Sequence, residues 1–234
     1  MRPSHALAGL GERDGGAADG ALVGHQGGVL SISFNESGAY CLTCGKDRTV
    51  RLWNPRKALL VKTYGDAHAH EVRDACCARD NSRIASCGGD RQVFLYDVSS
   101  GRTIRKFRGH ESAPVNSVKF AAQDTVLFSG GHDATVKAWD CRSQSVAPIQ
   151  TLTDFRDGVT SLHVQEYQVL AGSVDGTVRT FDVRTGQLVT DSFGPPVTHV
   201  SLSRDAQCTL VGVLDSKVLL LDRSSGELLA QYEV

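Results

Sequence analysis

SGGHDATVKAWD, residues Ser129–Asp140, is the stretch from which the fold can be read. Asp133 sits in a Gly-rich turn, Trp139 follows six residues later, and Asp140 comes next. The arrangement recurs at Asp47 to Trp53-Asn54, Asp90 to Tyr96-Asp97, Asp175 to Phe181-Asp182 and Asp215 to Leu221-Asp222. The turn aspartates step along the chain by 43, 43, 42 and 40 residues. A fixed period of this size marks tandem copies of one small supersecondary unit, none of which can bury its apolar face alone.

A second landmark sets the register. Val29, Val72, Val115 and Val197 each stand 18 residues before their turn Asp, whereas Val159 stands 16 before Asp175. The shortening falls beyond Val164, in a turn and not a strand, as suits packed strands and tolerant loops. In the first unit the runs VLSISF, YCLTC, TVRLW and LLVKTY alternate with NESG, GKDR and NPRKA. Strand-forming runs between turn-forming gaps predict four short strands per unit. Runs that are apolar almost throughout predict sheets covered on both faces. Four-stranded sheets packed face to face about an axis make a β-propeller, so the predicted class is all-β with five four-stranded blades.

Composition narrows the function. Of 234 residues, 41% are hydrophobic and 22% charged, and 25 Lys and Arg face 26 Asp and Glu for a net charge of -1. Such a balance gives no whole-chain attraction to nucleic acid or membrane, so charged partners must be recognised locally. No apolar run approaches the ~18 to 20 residues that span a bilayer, and the expected setting is intracellular. The seven cysteines are odd in number and scattered through apolar runs, which predicts reduced core thiols. Cys41 and Cys44 form one C-x-x-C, but no second ligand pair stands at zinc spacing, so no metal and no cofactor is expected.

The repeats resemble the WD-repeat family. The segments YCLTCGKDRTVRLWNP (40–55), IRKFRGH (104–110), AWDCRS (138–143), VLAGSVDGTVRTFDVRTGQL (169–188) and QCTLVGVLDSKVLLLDRSSGELL (207–229) carry a closer likeness, running from about Gly28 to Tyr232. They resemble a seven-bladed branch of that family. The resemblance implies a non-enzymatic scaffold of the mitogen-activated protein kinase cascade, with spliceosomal proteins as the alternative set of partners and mRNA splicing as the alternative role. It implies a cytoplasmic protein with the nucleus as a second compartment. Residues 1–23 do not match and are expected to form a disordered Gly- and Ala-rich leader. The propeller domain is expected over 24–234, in repeats of about 24–64, 65–107, 108–152, 153–193 and 194–234.

The resemblance also assigns polar residues that would otherwise suggest a hydrolase. His25, Thr43, Asp47 and Trp53 fall where WD repeats place a hydrogen-bonded tetrad; so do His110, Ser129, Asp133 and Trp139, and, with Tyr for Trp, His68, Ser86, Asp90 and Tyr96. The fourth and fifth repeats keep Asp175 and Asp215 but carry Ala171 and Val211 at the Ser position and lack the His. Graded copies lost as a group fit a structural network, since a half-satisfied one is worse than none. A catalytic triad would need one distinctive copy. The expected partner-binding residues are Lys46, Arg48, His70, Arg91, Glu111 and His132, which the b–c turns and inter-blade loops bring to one face. Exposed aromatics interleaved with the basic residues are lacking there, so no direct nucleic-acid site is expected.

Only five units are present, and Ala21-Leu22-Val23 is too short and too Gly-flanked to act as a closing strand. The chain is therefore expected to form part of a seven-bladed propeller. One face of the first blade and one of the fifth would stay bare.

Overall fold

The computed structural model describes residues 21–233, so most of the expected leader lies outside the described residues. The first blade consists of β1 (Val29–Phe34), β2 (Cys41–Gly45), β3 (Val50–Asn54) and β4 (Leu59–Tyr64). The second has β5 (Val72–Cys77), β6 (Arg83–Gly88), β7 (Val93–Asp97) and β8 (Thr103–Phe107). The third has β9 (Val115–Phe120), β10 (Val126–Gly131), β11 (Val136–Asp140) and β12 (Gln150–Leu152). The fourth has β13 (Val159–Gln165), β14 (Gln168–Ser173), β15 (Thr177–Asp182) and β16 (Leu188–Ser192). The fifth has β17 (Val197–Leu202), β18 (Cys208–Val213), β19 (Lys217–Asp222) and β20 (Leu228–Glu233). Each sheet is antiparallel with its strands in chain order, the pattern of a five-bladed β-propeller. The fifth blade is built wholly from its own strands, and Ala21-Leu22-Val23 joins no sheet. Among the described residues no helix is long and apolar enough to cross a membrane.

Local sequence explains the strand ends. β2 starts at Cys41, one residue later than its apolar run, because Tyr40 donates its backbone N–H to Asn35 Oδ1 at 3.0 Å and so closes the turn. The shortened fourth repeat turns on Glu166-Tyr167 alone, with Glu166 at φ 52° in the left-handed region. A two-residue hairpin calls for such a conformation. A β-bulge near the start of every inner strand shifts the register. Glycine is required beside it: a Cβ on Gly45 or Gly88 would collide with the carbonyl of Gly28 or Glu71.

The bulged residues latch neighbouring blades. Arg73 donates to Asn116 Oδ1 at 2.7 Å, Asn116 Nδ2 donates to the Val159 carbonyl at 2.6 Å, and Thr160 donates to the Val197 carbonyl at 2.8 Å. Apolar packing fills the space between sheets in four separate cores. Leu42, Val50 and Tyr64 meet Val72, Ile84 and Phe94 between blades one and two. Leu95 and Phe107 meet Val118 and Trp139 between two and three. Val136 meets Val159 and Leu162 in the next, and Leu170 and Val178 meet Val200 and Val211 in the last.

Among the described residues no core joins blade five to blade one. Val29 and Ile32 on β1 are 46% and 42% exposed, whereas their counterparts Val115 and Val118 on β9 are 0% exposed. The five blades form an open arc with two bare ends.

A buried carboxylate joins three of the blades. Asp74 on β5 accepts from Ser31 at 2.9 Å in blade one, and from Ser117 at 2.8 Å, the Val118 amide at 3.1 Å and Lys119 Nζ at 2.6 Å in blade three. Burial alone would raise its carboxyl pKa, but the Lys119 charge and these donors outweigh it and hold the group below its usual range. Asp74→Ala would leave Lys119 without its partner, and breaking a buried pair costs about 3 to 5 kcal/mol. Ser31→Ala removes one donor of several and costs about 1 kcal/mol. Urea unfolding of the two variants checks the order.

A pH dependence follows from His163 on β13. Burial first, then the Lys119, His199 and Arg223 charges, bring its pKa down to about 4. The unfolded imidazole takes its proton near pH 6.5, so the stability tied to this group is complete above that value. It is lost as pH falls toward about 4. Thermal unfolding should show this acid limb, and His163→Gln should flatten it.

Candidate functional site

The b–c turns and the inter-blade loops share one end of the arc, and each turn has the same geometry. The residue after the turn Asp is left-handed in all five: Arg48 at φ 64°, Arg91 at 65°, Ala134 at 57°, Gly176 at 78° and Ser216 at 63°. Asp133 steadies its turn by accepting from Thr135 Oγ1 at 2.7 Å, as Asp47 does from Thr49 at 2.9 Å.

The same aspartates tie loop to turn. His25 Nδ1 lies 2.8 Å from Asp47 and its Nε2 lies 2.7 Å from Thr43 Oγ1, which accepts from the Trp53 indole at 2.7 Å. In the third blade His110 stands 2.8 Å from both Asp133 and Ser129, and Trp139 donates to Ser129 at 2.8 Å. In the second, His68 reaches Asp90 at 2.9 Å and Ser86 at 2.7 Å, while Ser86 Oγ lies 3.2 Å from the Tyr96 hydroxyl. An acceptor at Nδ1 puts the imidazole proton there and leaves Nε2 free to accept from the hydroxyl. The loop amides of Gln26 and Ala69 add bonds of 3.1 Å to the same carboxylates.

Blades four and five replace these tetrads, as the losses in sequence anticipate. Phe155 packs on Phe181 at 5.9 Å in the fourth, and Arg179, stacked 4.8 Å above Phe155, donates to Asp175 at 2.9 Å. Burial opposes ionisation of Asp175, but Thr177, the Arg156 amide and Arg179 together bring its pKa down to about 2. In the fifth, Phe193 packs with Val211 and Leu221, and Asp215 pairs with Lys217 at 2.9 Å on the surface.

On the end thus stapled together, Lys46, Arg48, His70, Arg91, Glu111 and His132 are all exposed. Two are partly tethered. Arg91 donates to the Glu111 carbonyl at 2.8 Å, and the His132 ring lies so close over Gly158 that a Cβ there would meet it. Lys46 borders a hollow of about 540 Å³ whose other walls are Leu30, Glu71 and Arg73. Leu30 and Arg73 were not singled out in the sequence, because they occupy bulge positions that only the pairing register reveals.

Five of the seven cysteines are buried as core thiols are expected to be, whereas Cys77 and Cys208 are half-buried. All seven are free thiols, and burial pushes Cys76 up to about 12 and Cys77 and Cys141 up to about 11. Among the described residues no three His, Cys, Asp or Glu side chains gather in a metal-binding group.

A family described as Nucleolar protein 10-like, N-terminal domain, matches residues 41–234, and the WD domain, G-beta repeat, matches residues 19–54. The chain is 32% identical to the WD repeat domain-containing protein 83 homolog of Dictyostelium discoideum, over 91% of its own length and 73% of that relative. It belongs to the WD-repeat propeller family. The WD repeat domain-containing protein 83 of Rattus norvegicus is 50% identical over 88% of the chain, and that of Homo sapiens 51% over 89%. The chain spans 65% of the length of each of these two relatives. WD-repeat propellers are protein-interaction domains and generally non-catalytic. The WD-repeat tetrads here serve as staples between the inter-blade loops and the turns.

Their energetic weight is measurable. Asp133→Ala leaves buried His110 without an acceptor and should cost about 1 to 3 kcal/mol, whereas Asp215→Ala removes only a surface pair and should cost under about 1 kcal/mol. Equal losses in thermal unfolding would contradict the tetrad assignment.

Proposed function

We propose that this chain is a scaffold that gathers proteins of a mitogen-activated kinase cascade on its turn-and-loop face. The observation that carries this reading is the convergence of Lys46, Arg48 and Arg91 on one exposed end, held there by the buried His–Asp staples. Arg48 and Arg91 occupy left-handed turn positions, which an L side chain enters only at some cost, and the turns project them outward. Such a face suits an acidic partner segment, with the hollow beside Lys46, Glu71 and Arg73 taking an apolar or amide side chain between charges. Glu71 and Arg73 are already paired at 3.1 Å, so that edge is preset. Several partners can bind at once because each blade contributes its own turn and loop. The proposed compartments are the cytoplasm and, secondarily, the nucleus.

The alternative is a spliceosomal role in mRNA splicing. The same surplus of positive charge favours it, and the partners would then be proteins of that assembly. Binding of RNA by the purified chain that weakens steeply with salt would favour this reading over the first.

The test is reversal of the charge. Arg48→Glu with Arg91→Glu should lower the affinity of partners captured from cell extract by about tenfold or more, with folding intact by circular dichroism. If every captured kinase-cascade component stays bound, the face has been misassigned.

A further inference from the structure

A hollow of about 270 Å³ opens between blades one and two, at the end of the arc opposite the b–c turns. Leu42, Leu52 and Val61 wall it from blade one, and Cys77, Ile84 and Val98 from blade two. Leu42 and Ile84, on its inner side, are 2% and 0% exposed, whereas Val61 and Tyr40 are 47% and 39% exposed and form its mouth. Among the described residues none that lines it is charged.

One small residue explains the space. Cys77 pairs with Ile84 in blade two where Phe120 pairs with Leu127 in blade three. Phe120 packs against the core between blades two and three, with the Arg83 guanidinium 6.0 Å from its ring centre. A thiol in place of that phenyl ring leaves the seam between blades one and two short of side-chain volume.

The same seam carries an extra polar atom. Tyr64 faces Val50 as Phe107 faces Val93 in the next blade, so a phenol stands where the neighbouring seam has a plain ring. Tyr64 is buried, and its hydroxyl has no hydrogen-bond partner among the described residues. Its backbone lies at the turn end of the sheet, but its ring runs down the seam: burial first, then the Cys77 and Asp97 charges, push its pKa up to about 12. Cys77 is a wall of the hollow and Asp97 directly precedes another, Val98, so the hydroxyl is aimed at the hollow's inner end. The amides at the other side are already engaged. Asn35 Nδ2 donates to Asn81 Oδ1 at 2.9 Å, and Asn35 Oδ1 accepts from the Tyr40 amide at 3.0 Å.

We infer that this hollow binds a small, neutral, mainly apolar molecule whose one hydrogen-bond acceptor takes the Tyr64 O–H. An apolar cavity of about 150 Å³ holds a benzene ring, so the larger space here suits a compound of one or two rings. Uncharged walls exclude an ion, because a buried charge without a partner is too costly. The site stands at the opposite end from Lys46, Arg48 and Arg91, so it is separate from contacts made there.

Calorimetric titration of the purified 234-residue chain with acetylnaphthalene tests this, with isopropylnaphthalene as the compound of like shape that lacks the carbonyl. Acetylnaphthalene should bind at one site. Cys77→Phe, which restores the ring found in blade three, should abolish binding of both compounds. Tyr64→Phe should weaken acetylnaphthalene by about three- to tenfold, the worth of one hydrogen bond, and leave isopropylnaphthalene no weaker. A hollow that holds only water gives no heat with acetylnaphthalene, and that result overturns the inference, as does binding that Cys77→Phe leaves unchanged. Equal effects of Tyr64→Phe on the two compounds overturn the assigned ligand class. Circular dichroism confirms folding of each variant; should Cys77→Phe fail to fold, Val61→Trp at the mouth replaces it and is held to the same outcome.

Discussion

A four-stranded sheet with apolar residues on both faces has no stable existence by itself, and covering one such face with the next is the constraint on which this molecule rests. Burying a Val, Leu or Phe side chain contributes about 1.5 to 3 kcal/mol. Such residues make up most of the four cores between blades, with Cys, Ala, Ile, Tyr and Trp filling the rest. Stability in such an array is a chain of nearest-neighbour terms, so what happens at the ends differs in kind from what happens in the middle. Val29 and Val115 illustrate this: same residue, same strand position, opposite burial.

Polar chemistry is placed where apolar packing cannot reach. At the loop end the backbone leaves the sheets and needs anchoring, and the His–Asp–Ser/Thr–Trp networks of blades one and three supply it with every buried donor paired. Blade two keeps the network with a tyrosine. Blades four and five show the other solution, in which phenylalanines take the histidine positions, with Arg179 pairing Asp175 beside them in the fourth. Either arrangement is complete, and an intermediate one would leave a buried polar group unpaired. Lys46, Arg48 and Arg91 stand exposed together on the end so stapled.

The inner strands hold a different device. Asp74 bonds to residues of blades one and three while standing in blade two, so one carboxylate fastens three sheets. With the latches of Arg73, Asn116 and Thr160, it fixes the relative placement of blades that the apolar cores alone would hold less specifically. Polar groups contribute direction here because a hydrogen bond depends on angle as well as distance, whereas apolar contact does not.

The repeat of turn aspartates and the apolar runs between them were enough to determine the blades and their number, and the resemblance to WD repeats added the tetrads and the copies that lack them. These features are local: turn formers, strand formers and a fixed spacing act within about 40 residues, and so they are written in the order of the sequence. The fourth repeat's short turn could be located, though not its two-residue form. Asp74 was illegible, because a lone acidic residue in an inner strand takes its meaning from Ser31, Ser117 and Lys119, each 43 to 45 residues away. The tether of Arg91 to Glu111 and the hollow walled by Glu71 and Arg73 were equally hidden, since they depend on which loops meet across a blade boundary. Burial at positions of like residue type also belongs to the tertiary structure. Residue types at 42, 50, 52 and 64 repeat at 210, 218, 220 and 232 in the sequence, but only the packing shows that one set is covered and the other is not.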